Sequence, residues 1–280
     1  MKLFYLLNKE NQMTKLLHCK YICIAWTSIL ISFILICCSS HGANDEGELF
    51  IKVLDAPASF QQLSIVVDRI SIHRTGASSE IGWTTVSTNS SGSFDLLNLR
   101  NGRNLQLVLS KVPVGTYDQI KINYGACTII EQGQEQKKLY LDQASGNSIA
   151  YSFQIIEGQQ LQLTFDYNSY SSVYKIGGQY FFKPVVRVQN TLLSGWITGS
   201  VVRPDTLPDL SIVHTFTGVD SVTTLCDPNG SFQLSDLPEG TYSVIIVPED
   251  TSLVTDTISN ISVIRKLPTN LGAIQLKNKW

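Results

Sequence analysis

The stretch DPNGSFQL, Asp227–Leu234, followed by LPEGTYSV, Leu237–Val244, is the most specific fold signal in the chain. Asp-Pro-Asn-Gly suits a tight turn, because proline presets φ at the second position and glycine accepts the conformation required at the last. Serine, threonine, valine and isoleucine are plentiful throughout the sequence, which favours strands around such turns. The motif therefore predicts a β-structure built from short strands and tight connections.

Outward from this motif, turn residues recur about every eight to twelve positions, the spacing typical of a β-sandwich or barrel. We find no long run with helical periodicity after the apolar segment near the N-terminus. We predict an all-β protein of two tandem β-sandwich domains. The strands predicted before residue 190 are Glu48–Leu54, Leu63–His73, Trp83–Val86, Ser93–Leu97, Leu105–Leu109, Asp118–Tyr124, Cys127–Glu131, Lys138–Leu141, Ser148–Ile156, Gln160–Tyr167 and Tyr180–Val188.

One predicted strand changes its apolar phase. Leu63, Ile65 and Val67 alternate, and the alternation then resumes one position late at Ile70 and Ile72. An extra residue near Asp68 and Arg69 would keep both sets on the core face, so the sequence predicts a β-bulge there.

The chain also contains one short sequence pattern twice, which we call the sequence echo. Gly92–Leu96 with Pro113–Tyr117 repeats the pattern of Gly230–Leu234 with Pro238–Tyr242. Two related sandwiches in tandem would explain the echo, although turn chemistry alone can produce such a pattern twice.

Several ordered sequence blocks occur between about residues 47 and 190. They are Gly47–Leu49, Leu54–Pro57, Trp83, Phe94–Leu97, Val112–Tyr117, Phe165–Asp166, Ser172–Val173 and Lys183–Val188. With these blocks, this part of the chain resembles the bacterial lipoprotein family DUF4382, a domain of unknown function. The resemblance implies an exported β-sandwich and brings no function.

From Gly195 to about Leu276, with the turn motif at its centre, the chain resembles the carboxypeptidase-regulatory-like, or prealbumin-like, domain. This resemblance implies a Greek-key sandwich of seven strands without catalysis of its own. The domain boundaries that we predict are 1–37 for a lipoprotein signal peptide, 38–46 for a flexible tether, 47–190 for the first sandwich, 191–194 for a linker and 195–280 for the second sandwich.

An apolar run of about 16 residues, Tyr21–Ile36, follows a basic flank and ends in Leu35-Ile36-Cys37-Cys38. This order is typical of a secretory signal, and its end resembles a bacterial lipobox, which implies lipidation of Cys38. A retained membrane anchor is the alternative, but the run is shorter than the roughly 20 residues that span a bilayer. The start can be Met1 or Met13. We therefore expect an exported protein, lipid-anchored to the bacterial outer membrane and facing the periplasm or the cell surface.

Composition excludes one class of partner and limits cysteine chemistry. The formal net charge is −2 and the basic residues are scattered, so the stripe that nucleic-acid binding requires is missing. Beyond the signal and Cys38, only Cys127 and Cys226 remain, about a hundred residues apart. We interpret both as buried, inert thiols rather than as a disulfide or redox pair.

The sequence contains no constellation typical of an enzyme. A Gly-x-Ser-x-Gly elbow is missing, and His73 and His214 are isolated, so neither a nucleophilic triad nor a zinc site is predicted. The spacing around Asp227 does not match a calcium loop. We predict a protein that is not an enzyme and has no cofactor and no metal.

The aromatic stretch between residues 167 and 182 is the one predicted ligand surface, since exposed rings pack on sugar faces and anchor protein partners. Core packing is the alternative for these rings. We name Tyr167, Tyr170, Tyr174 and Tyr180 as candidate ligand-binding residues, beside Phe181 and Phe182 in the same stretch.

Three functional hypotheses remain open. The first is a non-enzymatic binding or adhesion module of the cell envelope, with a glycan or protein partner. The second is a structural subunit or scaffold of a surface assembly, which an unpaired strand edge would favour. The third is a hydrolase accessory protein that binds carbohydrate.

Overall fold

The computed structural model describes residues 45–88, 92–142, 148–218 and 220–279. These residues form 20 strands, one four-residue helix and two short 3₁₀ helices. The predicted all-β class is confirmed. The predicted signal peptide and Cys38 lie outside the described residues. No helix in the described ranges is both long enough and apolar enough to cross a membrane.

The first sandwich consists of a four-stranded sheet, in the order β13-β10-β1-β5, and a nine-stranded sheet. The larger sheet follows the order β11-β12-β8-β7-β2-β6-β9, and β3 and β4 also pair with β2. Its elements are β1 Glu46–Ala56, β2 Phe60–Arg74, β3 Trp83–Thr88, β4 Ser93–Asp95, a 3₁₀ helix Leu96–Asn98, β5 Leu105–Pro113, β6 Gly115–Tyr124, β7 Cys127–Glu131, β8 Lys137–Leu141, β9 Ser148–Ile155, β10 Gln160–Asn168, α1 Ser169–Ser172, β11 Val173–Ile176, β12 Gln179–Phe182 and β13 Val186–Asn190.

Strand β1 is a central strand of the smaller sheet, and from Glu46 to Val53 its side chains alternate between the core and the outer face. Leu49, Ile51 and Val53 are fully buried, and the residues between them are half-buried on the other face. The strand pairs antiparallel with β5 and parallel with β10. One hydrophobic core, which extends in sequence from Leu49 to Val188, fills the space between the two sheets.

The predicted bulge in β2 is confirmed. The register between β2 and β6 shifts between Val67 and Arg69, so Asp68 is the extra residue. Asp68 and Arg69 are both exposed, whereas Val67 and Ile70 are buried. The bulge therefore keeps both halves of the strand facing the core.

The second sandwich is smaller and has its own core. It packs a three-stranded sheet, β17-β14-β20, against a four-stranded sheet, β16-β15-β18-β19. Its core extends from Ile197 to Leu276. The strands are β14 Ser194–Val202, β15 Ile212–Thr217, β16 Asp220–Leu225, β17 Ser231–Pro238, β18 Gly240–Val247, β19 Asp256–Val263 and β20 Pro268–Gln275.

The Asp-Pro-Asn-Gly turn has the geometry that its sequence predicts. The Asp227 carboxylate accepts hydrogen bonds from the backbone N–H groups of Asn229 and Ser231, at 2.8 and 2.9 Å. Gly230 has φ +77°, a left-handed conformation that costs a glycine little.

The two sandwiches share one strand topology. In the first sandwich, the first strand β1 pairs antiparallel with β5 and parallel with β10. In the second sandwich, the first strand β14 likewise pairs antiparallel with β17 and parallel with β20. The facing sheets correspond too, since β6 lies between β2 and β9 as β18 lies between β15 and β19. The extra strands β7, β8, β11, β12 and β13 enlarge the first sandwich.

The second half of the sequence echo is a structural repeat. The Tyr117 hydroxyl donates to the Pro113 carbonyl at 2.8 Å, and the Tyr242 hydroxyl donates to the Pro238 carbonyl at 2.7 Å. Each tyrosine thus closes the crossing from one sheet to the other, the arrangement known as a tyrosine corner. The first half is not repeated, because Ser93–Asp95 is a separate short strand whereas Ser231 and Pro238 belong to one strand.

The junction of the sandwiches is short and polar. Residues Thr191–Leu193 form a 3₁₀ helix, and β14 begins directly after it. Charged side chains of the first sandwich contact Asp236 of the second, and Glu46–Trp280 forms one compact unit. Cys127 and Cys226 are both buried and unpaired, as predicted.

Candidate ligand-binding surface

The four tyrosines named from the sequence do not share one surface. Tyr167 is fully buried and Tyr180 is 2% exposed, whereas Tyr170 on α1 is 68% exposed and Tyr174 on β11 is half-buried. Tyr167 and Tyr180 are therefore core residues, and the expectation that they contact a ligand at the surface needs correction. The reason is strand alternation, since along β12 Tyr180 and Phe182 face the core and Phe181 between them faces outward.

Tyr167 has a structural role in the core. Its hydroxyl lies 2.8 Å from the hydroxyl of Tyr124, and both groups are buried. Burial raises the pKa of each phenol, so both stay neutral and one donates to the other.

Three aromatic rings from three adjacent strands form a row on the outer face of the larger sheet. We call Tyr140, Phe181 and Tyr174 the aromatic ladder. Phe181 lies directly opposite Tyr140 on one side and Tyr174 on the other. The rings of Tyr174 and Phe181 are nearly parallel, and their centroids are 5.4 Å apart. The ring centroids of Phe181 and Tyr140 are 5.9 Å apart. Such cross-strand ring pairs stabilise the sheet and leave an apolar ridge at its surface.

Polar groups border the aromatic ladder. The Tyr174 hydroxyl donates to the Asp142 carboxylate at 3.0 Å, and the Lys138 ammonium lies over the Tyr140 ring at 4.7 Å. Desolvation and then the bond to Asp142 raise the pKa of Tyr174, so its hydroxyl remains a donor. Rings with a carboxylate and an ammonium beside them can bind a ligand that has both apolar and hydroxylated faces.

The sequence did not single out Tyr140, because its membership in the ladder depends on a long-range parallel pairing. Strand β8 is paired with β12, which lies about 40 residues further along the chain. The available signal was local: in the predicted strand Lys138–Leu141, Tyr140 is the one aromatic residue.

Two carboxylates approach each other at a second location, where the sandwiches meet. Asp166 lines a cleft of about 200 Å³ together with Arg187 and Asp220, and the Arg187 guanidinium pairs with Asp166 at 2.7 Å. Asp55 is buried and accepts hydrogen bonds from the backbone and hydroxyl of Ser169. Burial raises the pKa of both carboxyls.

Each of these carboxyls has a structural partner, Arg187 for Asp166 and Ser169 for Asp55. Among the described residues, no group of three or more histidines, cysteines and carboxylates could hold a metal ion.

Comparison with known proteins finds a family match for part of the chain. Residues 46–184 match the family model described as Domain of unknown function (DUF4382). No curated protein matches the chain.

Solved structures with partial similarity include two pilins and one chain of a cohesin–dockerin complex. The minor pilin GBS52 of Streptococcus agalactiae is 10% identical, with a TM-score of 0.25, and the match covers 83% of this chain and 96% of the pilin. BcpA, the major pilin subunit of Bacillus cereus, is 9% identical, with a TM-score of 0.26, over 84% of this chain and 100% of BcpA.

A chain of the type II Cohesin-X-Dockerin complex from Acetivibrio cellulolyticus is 19% identical, with a TM-score of 0.25. The match covers 30% of this chain and 58% of that one. TM-scores this low carry no argument about function, and the fold assignment depends on the observed strand pairing. What the comparisons support is therefore a match of residues 46–184, within the first sandwich, to the DUF4382 family model.

Proposed function

We propose that this protein is a non-enzymatic binding module of the bacterial cell envelope, and that the aromatic ladder is its ligand surface. The observation that carries the proposal is the row of Tyr140, Phe181 and Tyr174 at the surface, with Asp142 and Lys138 beside it. A core needs no such rings on the outer face of a sheet.

The ligand class that fits this surface is a glycan. The C–H face of a sugar ring packs on an aromatic ring, while its hydroxyls hydrogen-bond with carboxylates and ammonium groups. Phe181 has a ring on either side, so only the terminal rings of the ladder can offer a face to a sugar. Tyr170, exposed on the neighbouring helix α1, can extend the same surface.

Binding of the full chain in detergent to cell-envelope polysaccharides tests the proposal. We expect Tyr174→Ala and Tyr140→Ala, which remove the two terminal rings, each to weaken binding about tenfold or more, which corresponds to roughly 1.4 kcal/mol. Phe216→Ala is the matched control, because Phe216 is 56% exposed on β15 of the second sandwich. Thermal unfolding of each variant shows whether the fold persists.

Unchanged glycan binding by both ladder variants would refute the assignment of the surface. If the wild type binds no glycan but binds an envelope protein through the same residues, the partner is a protein instead.

The proposed location is the outer membrane, through lipid on Cys38, and it is supported by the apolar run that ends in Leu35-Ile36-Cys37-Cys38. We expect metabolically supplied fatty acid to label the wild type, and Cys38→Ala to lose the label and leave the membrane fraction. Cys37→Ala is the control. Protease treatment of intact cells then distinguishes the cell surface, where the wild type is cut, from the periplasm, where it is protected.

A further inference from the structure

Lys138 is a cation beside the aromatic ladder, on the outer face of the larger sheet. It precedes Tyr140 by two residues on β8 and both are exposed, so their side chains lie on the same side of the sheet. The Lys138 ammonium lies over the Tyr140 ring, 4.7 Å from the ring centroid. A sugar that packs at this end of the ladder therefore meets a positive charge as well as a ring.

The Lys138 ammonium forms no ion pair among the described residues. Its neighbour across β7 is Thr128, which has no charge. The Asp142 carboxylate is four residues further along the chain, roughly 13 Å at the rise of a strand, and accepts a hydrogen bond from the Tyr174 hydroxyl. That separation exceeds the Debye length of roughly 8 Å at physiological ionic strength, so Asp142 does not prevent an anion from binding at Lys138.

The nearby Glu131 carboxylate lies on the other side of the sheet and has its own partner. On β7 its side chain shares the side of the buried Ile129. It pairs with the Lys175 ammonium at 3.6 Å. Lys175 is directly opposite Tyr180, whose side chain faces the core rather than the outer surface. Neither charge of this pair therefore competes with a ligand at Lys138.

We propose that the glycan bound at the aromatic ladder is acidic, and that its carboxylate or sulfate group pairs with Lys138. This inference rests on the proposed function, because it names the class of sugar for the same surface. A neutral sugar that packs on the Tyr140 ring has to displace the ammonium and loses its cation–π contact. An acidic sugar leaves the ammonium in place and adds a charge-assisted hydrogen bond to it.

Matched pairs of polysaccharides test the proposal on the full chain in an uncharged detergent. Polygalacturonate and its methyl ester differ in their carboxylates, and dextran sulfate and dextran differ in their sulfates. We expect at least one charged member to bind about threefold tighter than its neutral partner, the gain typical of an exposed ion pair. The pair that shows this preference identifies the anion as a carboxylate or a sulfate. The preference should decrease between about 0.05 and 0.5 M sodium chloride, because salt screens an exposed pair.

Substitutions of Lys138 show whether its charge is the source of the preference. Lys138→Gln should lower the ratio of the two affinities to about one, whereas Lys138→Arg should retain the preference. This ratio does not change when a variant weakens the binding of both glycans equally, so it separates the charge from a structural effect. Lys183→Gln is the matched control, because Lys183 is also exposed and directly follows β12, whose last residue Phe182 accepts from the Asp142 backbone N–H.

Equal binding of the charged and neutral members by the wild type would overturn this proposal and leave glycan binding by Tyr174 and Tyr140 in place. A preference that persists in Lys138→Gln, or that Lys183→Gln removes as well, would overturn the assignment to Lys138. If the wild type binds no polysaccharide, charged or neutral, the proposed glycan ligand fails together with this inference.

Discussion

His73 is a buried histidine whose two ring nitrogens both face hydrogen-bond acceptors. Nδ1 lies 2.9 Å from the Asp118 carboxylate, and Nε2 lies 3.0 Å from the Ser78 carbonyl. A neutral imidazole has only one N–H, so only the protonated ring can donate to both. The hydrogen bond to Asp118 is the largest cause of the raised pKa of His73. The isolated histidine of the sequence thus holds the end of β2 to β6 and to the loop after β2.

We predict that His73 makes the stability of the protein depend on pH. Since the pKa is higher in the folded state, the contribution is full below the unfolded value of about 6.5 and is lost as pH rises through the folded pKa. The free energy of unfolding in urea should therefore fall as pH rises from about 6 to 8. His73→Gln should remove this part of the slope.

His214→Gln serves as the control for this measurement. Burial lowers the pKa of His214, so His214 destabilises the fold as pH falls below about 6.5 and affects the slope with the opposite sign. If His73→Gln retains the slope of the wild type, the protonated His73 is not its source.

At the scale of the element, the bulge at Asp68 determines which side chains in the second half of β2 face the core. Before it, Leu63, Ile65 and Val67 fill the core, and after it Ile70 and Ile72 do so. Side chains in a strand alternate with a period of two, so a single residue reverses every position that follows.

Deletion of Asp68 should abolish folding, because it either turns Ile70 and Ile72 to solvent or breaks the pairing of β2 with β6. Asp68→Ala keeps the extra residue, and we expect it to cost less than about 1 kcal/mol, as for most exposed positions. Circular dichroism and guanidinium unfolding of the two variants measure the difference. A folded deletion variant of native stability would show that the bulge does not set the register.

At the scale of the molecule, one buried carboxylate joins the two sandwiches. Asp236 is 5% exposed; its carboxylate lies 3.2 Å from the Lys52 ammonium and accepts from the Ser194 hydroxyl at 3.2 Å. Its backbone carbonyl accepts from Arg187, which also pairs with Asp166. This network links β1 and β13 of the first sandwich to β17 of the second.

Asp236→Asn should weaken this junction by about 1 to 3 kcal/mol, the cost of leaving a largely buried polar group without its partner. The amide still accepts from Ser194 and tolerates the left-handed backbone at this position, φ 53°, but it leaves Lys52 without its counter-ion. We expect the wild type to unfold in guanidinium in one transition and Asp236→Asn to unfold in two.

Glu239→Gln is the control, because its ion pair with Arg265 is about half-exposed on both sides and should contribute little. A single transition in Asp236→Asn, at the stability of the wild type, would contradict the coupling.

Local patterns were sufficient to predict what depends on neighbours in sequence. The alternation of β2 predicted its bulge, and Asp-Pro-Asn-Gly predicted its turn. The repeated Pro-x-Gly-Thr-Tyr was recognised as a repeat, and the structure shows that each copy forms a tyrosine corner. These features follow from the period of a strand and from the conformations that proline and glycine allow.

The aromatic ladder, the edge position of β9 and the junction between the sandwiches could be read only from the tertiary structure. Each depends on which strands pair across long stretches of chain: Tyr140 joins Phe181 through a parallel pairing, β9 becomes an edge because no later described strand covers it, and Asp236 meets Lys52 of the other sandwich. Two of the four predicted tyrosines became core residues for the same reason. The sequence by itself determined the all-β class and its turns. Packing decided which strands pair, and hence which face of the sheet each aromatic ring lies on. The reason is that the same alternating pattern fits several neighbouring strands equally well.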